Sequence, residues 1–335
     1  MTSRKTRIAI NGFGRVGRLA LRAGLRRPDL EFVAINDLSE PDLLQYLFAS
    51  DTVHGRFDGE VGLDGENLMV AGRAIALSRQ KDPAQLPWKS LAVDVVLECS
   101  GAFRSRRDSG MHLTAGSRKV IVSAPSDDAD ITLVMGVNDH LYEPARHHVI
   151  SNASCTTNAL APMAAVLNGE FGIERAFAMT IHAYTSSQAL VDTPQRKRRR
   201  SRAAALNLVP TTTGAAAAVG RVLPELAGRI DGLAMRAPVA DGSIVDLTAL
   251  LSADVSVERV NEAFRAAAAG KLKGILRYVA EDGLVSSDIV GDPHSCVFDA
   301  PLTMVIGRMV KVMGWYDNEY AYSCRLVDTA ARVGG

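Results

Sequence analysis

Four cysteines stand far apart in this chain, at Cys99, Cys155, Cys296 and Cys324, and one of them has the neighbours of a nucleophile. Cys155 lies in Ser151-Asn152-Ala153-Ser154-Cys155-Thr156-Thr157-Asn158, among hydroxyl residues and just ahead of a helical pattern over Ala159 to Leu167. A thiol at a helix N-terminus has its thiolate stabilised by the dipole and the orphan N–H groups, so its pKa is expected to fall from about 8.5 toward neutrality. The other three cysteines sit in strand-like or helical apolar contexts and read as small core residues. A thiol nucleophile also needs a base within hydrogen-bond reach. Seven histidines are candidates and position alone does not choose among them. We single out His182, which ends an apolar run from Ala178 and precedes a loop dense in Arg, Ser, Thr and Pro.

A second chemical feature opens the chain. Asn11-Gly12-Phe13-Gly14-Arg15-Val16-Gly17 follows the apolar run Ile8-Ala9-Ile10 and precedes a helical pattern, so its G-x-G-x-x-G sits where a dinucleotide-binding turn belongs. Gly12 permits the tight turn, Gly14 lets a pyrophosphate approach the backbone, and Gly17 allows close helix packing. Asp37 stands twenty residues after Gly17, at the end of the next apolar run, where its carboxylate can accept hydrogen bonds from an adenosine ribose. That carboxylate would repel a 2′-phosphate, which favours NAD over NADP.

These residues need elements to hold them. Short apolar runs at 8–10, 32–35, 93–97, 120–122 and 149–150 alternate with amphipathic stretches such as Val16 to Arg26. Such runs read as parallel strands buried on both faces with crossover helices, the pattern of a doubly wound α/β sheet. Beyond residue 153 the pattern changes to a helix, a strand ending at His182, an alanine-rich helix over Thr213 to Leu226, and alternating segments such as Ser243 to Leu250. This predicts an α+β domain with a mostly antiparallel sheet, and a final helix over Glu319 to Arg332. The expected division is 1–153 and 154–318, with the helix of about 319–335 packing back onto the first domain.

Composition bounds the function classes. The 335 residues suffice for two domains, and 47% apolar with 22% charged residues is a globular balance. Thirty-eight Lys and Arg against 37 Asp and Glu leave a net charge of +1, which gives no global field for nucleic acid or anionic membrane. Aromatics at 5% argue against a base-stacking single-strand binder. The basic stretch Met1 to Arg7 is followed by an apolar run that Asn11, Gly12, Gly14 and Arg15 break at once, unlike a signal peptide. A cytoplasmic protein with free thiols is expected, with no bound metal.

Taken together, Asn11 to Arg18, Ser154-Cys155-Thr156-Thr157-Asn158, His182-Ala183-Tyr184-Thr185, Thr213-Gly214-Ala215-Ala216 and Trp315-Tyr316-Asp317-Asn318-Glu319 span nearly the whole chain in order. The sequence closely resembles phosphorylating glyceraldehyde-3-phosphate dehydrogenases of the bacterial and organellar type. The resemblance implies a Rossmann domain, an α+β catalytic domain, a homotetramer, and oxidation of an aldehyde through a thiohemiacetal and a thioester on Cys155 with His182 as base. It implies that Ser154, Thr156, Thr213 and Gly214 hold the attacking inorganic phosphate. Thr185 and Arg236 would hold the substrate's own phosphate, with Arg200 shared. It adds Arg15, Val16, Lys81, Ser123 and Asn318 to Gly12, Gly14 and Asp37 as cofactor contacts. Outside this context Thr213 reads as a helix N-cap and Arg236 as a solvated strand arginine.

Some positions depart from the pattern of relatives. Ala159 replaces a second cysteine, Tyr320-Ala321 replaces Trp-Gly, and Ser187 stands where Asp or Thr is common. Val239-Ala240-Asp241-Gly242 replaces a Pro-containing turn. The largest departure is 196–202, Arg-Lys-Arg-Arg-Arg-Ser-Arg, six cations in seven positions. Such a run reads as a solvated face. The family places it near the cofactor of a neighbouring subunit, where it could tolerate a 2′-phosphate and admit NADP, although Pro194 and Leu38 match NAD-using relatives. Two alternative functions follow. One is erythrose-4-phosphate dehydrogenase, which the phosphorylating motifs oppose. The other is a non-catalytic nucleic-acid-binding paralogue using loop 196–202, which the charge balance opposes.

Overall fold

The structure, a computed structural model, describes residues 4–335; Met1-Thr2-Ser3, where the basic N-terminal stretch begins, lie outside the described residues. The chain divides into two compact units. The first runs through Leu133 and takes in His140–Ala153 and Ser323–Gly335, while the second comprises Val134–Asp139 and Ser154–Tyr322.

The first unit holds a nine-stranded sheet. Its strands are β1 (Thr6–Asn11), β2 (Leu30–Asn36), β3 (Val61–Asp64), β4 (Asn67–Val70), β5 (Arg73–Ser78), β6 (Val95–Glu98), β7 (Lys119–Val122), β8 (Ile131–Thr132) and β9 (Val149–Ser151). Spatial order is β3-β4-β5-β2-β1-β6-β7-β9-β8, parallel from β5 to β8. The helices are α1 (Arg15–Gly24), α2 (Pro41–Ala49), α3 (Arg106–Ser109) and α4 (Met111–Thr114). Period-2 alternation sends Ile8 and Ile10 into a core with Leu21, Ile35, Leu97, Leu326 and Val333, while Ala9 and Val96 face a second core with Trp88 and Val120. Burial on both faces is why these strands are continuous apolar runs.

The edge hairpins β3-β4 and β4-β5 are antiparallel. Their turns carry the cause: Gly65 at φ 56°, and Ala71 and Gly72 at φ 49° and 75°. Positive φ at the first central residue of the 64–67 turn, and at both central residues of the 70–73 turn, is the twist that joins antiparallel strands through two residues. Gly65 at the first central position is a hairpin signal that the apolar-run reading passed over.

In the second unit, strands β10 (Ile173–Ala183), β11 (Val209–Thr212), β12 (Ile230–Ala237), β13 (Ser243–Leu251), β14 (Leu276–Val279), β15 (Cys296–Asp299), β16 (Met304–Ile306) and β17 (Met309–Tyr316) form a mostly antiparallel sheet. The order is β11-β12-β10-β13-β17-β15-β14, with β16 paired to β17. Its helices are α5 (Cys155–Phe171), α6 (Ala215–Val222) and α7 (Val257–Ala269); α8 (Tyr320–Gly334) begins here and continues into the first unit. Along β10 the buried residues Ala176, Ala178, Thr180 and His182 alternate with exposed Phe177 and Met179. That alternation puts His182 on the covered face. The parallel register of β10 with β12 then sets it directly beside Arg236.

The alanine-rich helix is shorter than its sequence reading. α6 stops at Val222, and Pro224–Leu226 forms a separate 3₁₀ turn. Proline supplies no N–H and disfavours the helical region for the residue before it, and Leu223 accordingly lies at φ −129°, ψ 80°.

At the loop after α2, Asp51 accepts backbone N–H bonds from Val53 and His54, both 2.9 Å, and pairs with Arg15. Although burial opposes it, these hydrogen bonds and the Arg15 guanidinium hold its carboxyl down at about 2. A depressed carboxyl stabilises the fold above its unfolded pKa near 3.9, and the contribution disappears as pH falls through about 2. Asp51→Asn should therefore cost about 1–2 kcal/mol at pH 7. Urea unfolding midpoints of both proteins at pH 7 and pH 3 check this: the gap should narrow at pH 3, and an equal gap would refute the linkage.

Candidate active site

Ala153 turns the chain into α5 through a left-handed conformation, φ 55°, which a non-glycine residue adopts only where the surroundings hold it. Ser154 caps the helix, its Oγ accepting from Thr157 N at 3.1 Å. Cys155 is therefore the first helical residue, half-buried, with its sulfur 3.4 Å from His182 Nε2. The ring's other nitrogen, Nδ1, is 2.7 Å from the Ala183 carbonyl oxygen. Arg236 Nη1 donates to the same carbonyl at 2.7 Å and lies 2.8 Å from Nδ1. In the tautomer that serves as a base, Nδ1–H donates to Ala183 and the bare Nε2 faces the thiol.

The electrostatics correct one expectation. Burial pushes the Cys155 thiol above its ordinary value, although Arg236 and hydrogen bonds from Thr156 pull the other way. Burial and the adjacent Arg236 push His182 down to about 3. Both directions favour the neutral forms, a thiol beside an unprotonated imidazole, because desolvation of the sulfur outweighs the pull of Arg236 and of the Thr156 hydrogen bonds.

The residues implied for anion binding lie in this unit too. Arg236 is 9% exposed, which rules out the solvated alternative. Arg200 donates to Ser187 Oγ at 2.8 Å and to Thr211 Oγ1 at 3.1 Å, and Ser187 Oγ is 2.9 Å from Thr185 Oγ1. Thr185, Ser187 and Arg200 thus form one linked group. Thr213 Oγ1 accepts from Ala215 N at 3.2 Å, so it caps α6 just ahead of Gly214. Thr156 Oγ1 bonds the buried Tyr316 hydroxyl at 2.9 Å, and that hydroxyl also meets Thr180 Oγ1 at 2.8 Å. Asn318 Oδ1 accepts from Ser243 Oγ at 2.6 Å, and Ser243 Oγ accepts from Ala183 N at 3.1 Å. That chain fixes the amide so that Asn318 Nδ2 is left as a donor. Sequence reading did not single out Thr211 or Ser243 and quoted Tyr316 only within a motif. Strand register alone brings them in, and no local pattern announces it.

Within the basic run, Lys197 donates to Thr212 Oγ1 and Arg202 pairs with Asp192 at 2.7 Å. Lys197, Arg198 and Arg199 line an open groove with Pro210, Thr211, Thr212 and Leu233.

In the first unit, Asn11, Gly12, Gly14, Asp37, Leu38, Lys81 and Ser100 line a cavity of about 430 Å³. Gly12, at φ 92°, is pressed against Ser100 so closely that a Cβ would overlap its backbone, whereas a Cβ on Gly14 would meet nothing within 4 Å. No side chain caps α1 at Gly14, which itself lines this cavity. Asp37 accepts from Phe13 N at 2.7 Å and Ser39 N at 2.9 Å, and its carboxylate lines the cavity. An open uncapped helix start beside a fixed carboxylate fits a pyrophosphate and a ribose. Arg15 is half-buried and paired with Asp51, and Val16 follows it in the first turn of α1. Ser123 follows β7, its N–H bonded to the Glu98 carbonyl at 3.0 Å.

Comparison with known proteins gives concordant findings. Residues 6–106 match the family model described as glyceraldehyde 3-phosphate dehydrogenase, NAD binding domain, and residues 154–318 match the C-terminal domain of the same family. The glyceraldehyde-3-phosphate dehydrogenase of Geobacillus stearothermophilus is 53% identical over 328 residues, covering 98% of each chain. That of Kitasatospora aureofaciens is 55% identical over 325 residues, 97% of this chain and 98% of the relative. Glyceraldehyde-3-phosphate dehydrogenase 1 of Bacillus subtilis is 52% identical over 328 residues, again 98% of each.

Because Arg236 helps to hold His182 down, Arg236→Met should raise the imidazole's pKa from about 3 toward, but not to, its ordinary 6.5, since burial remains. Proton NMR titration of the ring in both proteins checks the direction; an unmoved or lowered value contradicts the electrostatic account.

Proposed function

Because the chain belongs to the glyceraldehyde-3-phosphate dehydrogenase family, we propose that it carries out the phosphorylating oxidation of D-glyceraldehyde 3-phosphate to 1,3-bisphosphoglycerate with NAD, using Cys155 as nucleophile and His182 as base. The observation that carries the assignment of roles is the 3.4 Å approach of Cys155 Sγ to His182 Nε2 at the start of α5.

Attack of Sγ on the aldehyde carbon forms a C–S bond while the thiol proton passes through His182 Nε2 to the carbonyl oxygen, giving a thiohemiacetal. When bound, NAD supplies the hydride acceptor for the oxidation. His182 takes the hydroxyl proton as the thiohemiacetal becomes a thioester. Inorganic phosphate then attacks the thioester carbon, the C–S bond breaks, and the departing sulfur recovers a proton from the imidazolium. The Ala183 carbonyl stabilises that imidazolium by accepting from Nδ1–H.

Two anions need holders. Arg236 and Thr185 are the proposed partners of the substrate's phosphate, and Ser154, Thr156, Thr213 and Gly214 those of the attacking one, with Arg200 shared. Forked guanidinium donors and compact hydroxyls match phosphate oxygens. The Arg200–Ser187–Thr185 linkage supports a common anion subsite and gives Ser187 a place in it. For NAD, the proposed contacts are Gly12, Gly14, Arg15, Val16, Asp37, Lys81 and Ser123, with Asn318 Nδ2 for the carboxamide. The Asp37 carboxylate supports NAD over NADP.

Self-association as a homotetramer is part of the proposal. Leu190, Val191, Leu206 and Leu208 are 66–84% exposed, and Phe177 and Ile306 more than 70%, and apolar side chains this exposed support burial against another copy. Among the described residues no helix is long and apolar enough to cross a membrane. We place the enzyme in the cytoplasm, where reducing conditions keep Cys155 a thiol.

Cys155→Ser should abolish NADH formation, and His182→Asn should lower kcat by about 10²–10⁴ while the Kd for NAD stays within twofold. Steady-state assays with and without inorganic phosphate test the reaction class: the rate should collapse without phosphate, and an equal rate would sink the phosphorylating assignment. kcat/KM with NAD should exceed that with NADP; a ratio near one would overturn the part given to Asp37.

A further inference from the structure

Beneath the glycine-rich turn lies a polar chain that the chemistry at Cys155 does not use. It crosses the C-terminal ends of four adjacent strands in the order β5, β2, β1, β6. Ser78 Oγ donates to Asn36 Oδ1 at 2.9 Å, Asn36 Nδ2 to Asn11 Oδ1 at 2.7 Å, and Asn11 Nδ2 to Glu98 Oε2 at 2.5 Å. From the other side Trp88 Nε1 donates to His112 Nδ1 at 2.9 Å, and His112 Nε2 lies 3.0 Å from the same Glu98 oxygen. The second Glu98 oxygen takes Ser100 N at 2.8 Å and Ser100 Oγ at 2.5 Å. Trp88, His112, Glu98, Asn11 and Asn36 are all at most 4% exposed.

The donor inventory fixes the direction of every bond. An indole N–H only donates, so His112 Nδ1 must carry a lone pair and Nε2 the proton, which it gives to Glu98. Two runs of donors therefore converge on one buried carboxylate that has four donors and, among the described residues, no Lys or Arg partner. Such a carboxylate is costly to bury and is tolerated where its acceptors are filled. What it joins is specific. Asn11 immediately precedes Gly12, Asn36 immediately precedes Asp37, and Ser100 is the residue against which Gly12 is pressed.

We propose that Glu98, with His112 and Trp88 holding its orientation, is a positioning group for the dinucleotide site. It clamps β1 to β6 so that Gly12 stays against Ser100, and through Asn11 and Asn36 it holds Asp37 at the ribose position. The inference rests on the reading of Gly12, Gly14 and Asp37 as cofactor contacts. Glu98→Gln tests it because the amide is nearly the same size but turns one accepting oxygen into an N–H₂ group, which then faces donors. Trp88→Phe is milder, releasing the tautomer of His112 while leaving Glu98 in place.

The experiment measures the Kd for NAD by titration calorimetry, KM and kcat for NAD and for glyceraldehyde 3-phosphate, and the rate of Cys155 alkylation by iodoacetamide in cofactor-free protein. Asp37→Ala serves as the control for the underlying reading. Glu98→Gln should raise the Kd and KM for NAD about tenfold and Trp88→Phe about threefold. The loss should be carried by KM for NAD and not by KM for the aldehyde, with the alkylation rate unchanged. If Asp37→Ala weakens NAD binding and both network variants bind as the parent does, the clamp is wrong and the turn reading stands. If Asp37→Ala changes nothing, the turn reading fails and the clamp falls with it. A general loss of packing, seen as slower alkylation and a raised KM for the aldehyde, would also overturn the positioning role. Should Glu98→Gln fail to fold, Trp88→Phe decides: a KM for NAD equal to the parent's overturns the proposal.

Discussion

The catalytic unit depends on the parallel register between β10 and β12. Because His182 pairs across to Arg236, one guanidinium reaches both the imidazole and the carbonyl that orients it. The strand's alternation then puts the other ring nitrogen toward the helix that starts at Cys155. A shift of one residue along β10 would turn His182 to the exposed face and bring Ile181 in its place. The positions of Cys155, His182 and Arg236 thus depend together on one register, which the antiparallel partner β13 fixes from the other side.

That arrangement explains why the thiol is not simply ionised at rest. A helix N-terminus favours a thiolate, yet enclosure of the sulfur removes the water that would solvate it, and the second effect is larger here. The imidazole is subject to the same balance, with a neighbouring cation added.

The two units solve similar problems with different means. In the catalytic unit polar groups are fixed by strand register and by hydroxyl bridges, as Tyr316 joins Thr156 to Thr180. In the first unit the central strands, buried on both faces, carry polar side chains at their C-terminal ends, and there these meet in a chain that ends on Glu98. Burial makes each such chain demanding: every donor needs its acceptor, because an unpaired group in that environment costs about 1–3 kcal/mol.

Much of this was legible in the residues themselves. Continuous apolar runs marked β1, β2, β6, β7 and β9, the glycine spacing marked the turn into α1, and hydroxyl residues ahead of an apolar helix marked Cys155. These features are local, since strand burial, positive φ and helix capping depend on a few consecutive residues. The hairpins at 61–78 were legible in principle through the turn glycines Gly65 and Gly72 and were missed because their strands are short. What no local pattern contains is which side chains meet across strands. That His182 rather than another histidine reaches the sulfur, that Ser187 and Thr211 hold Arg200, that Ser243 orients Asn318, and that Trp88 reaches Glu98 through His112 are all consequences of register and packing between distant segments. The sequence determined the residue types and the elements that carry them. Only the tertiary structure decided their partners and their charge states, because both depend on burial and on distances between atoms far apart along the chain.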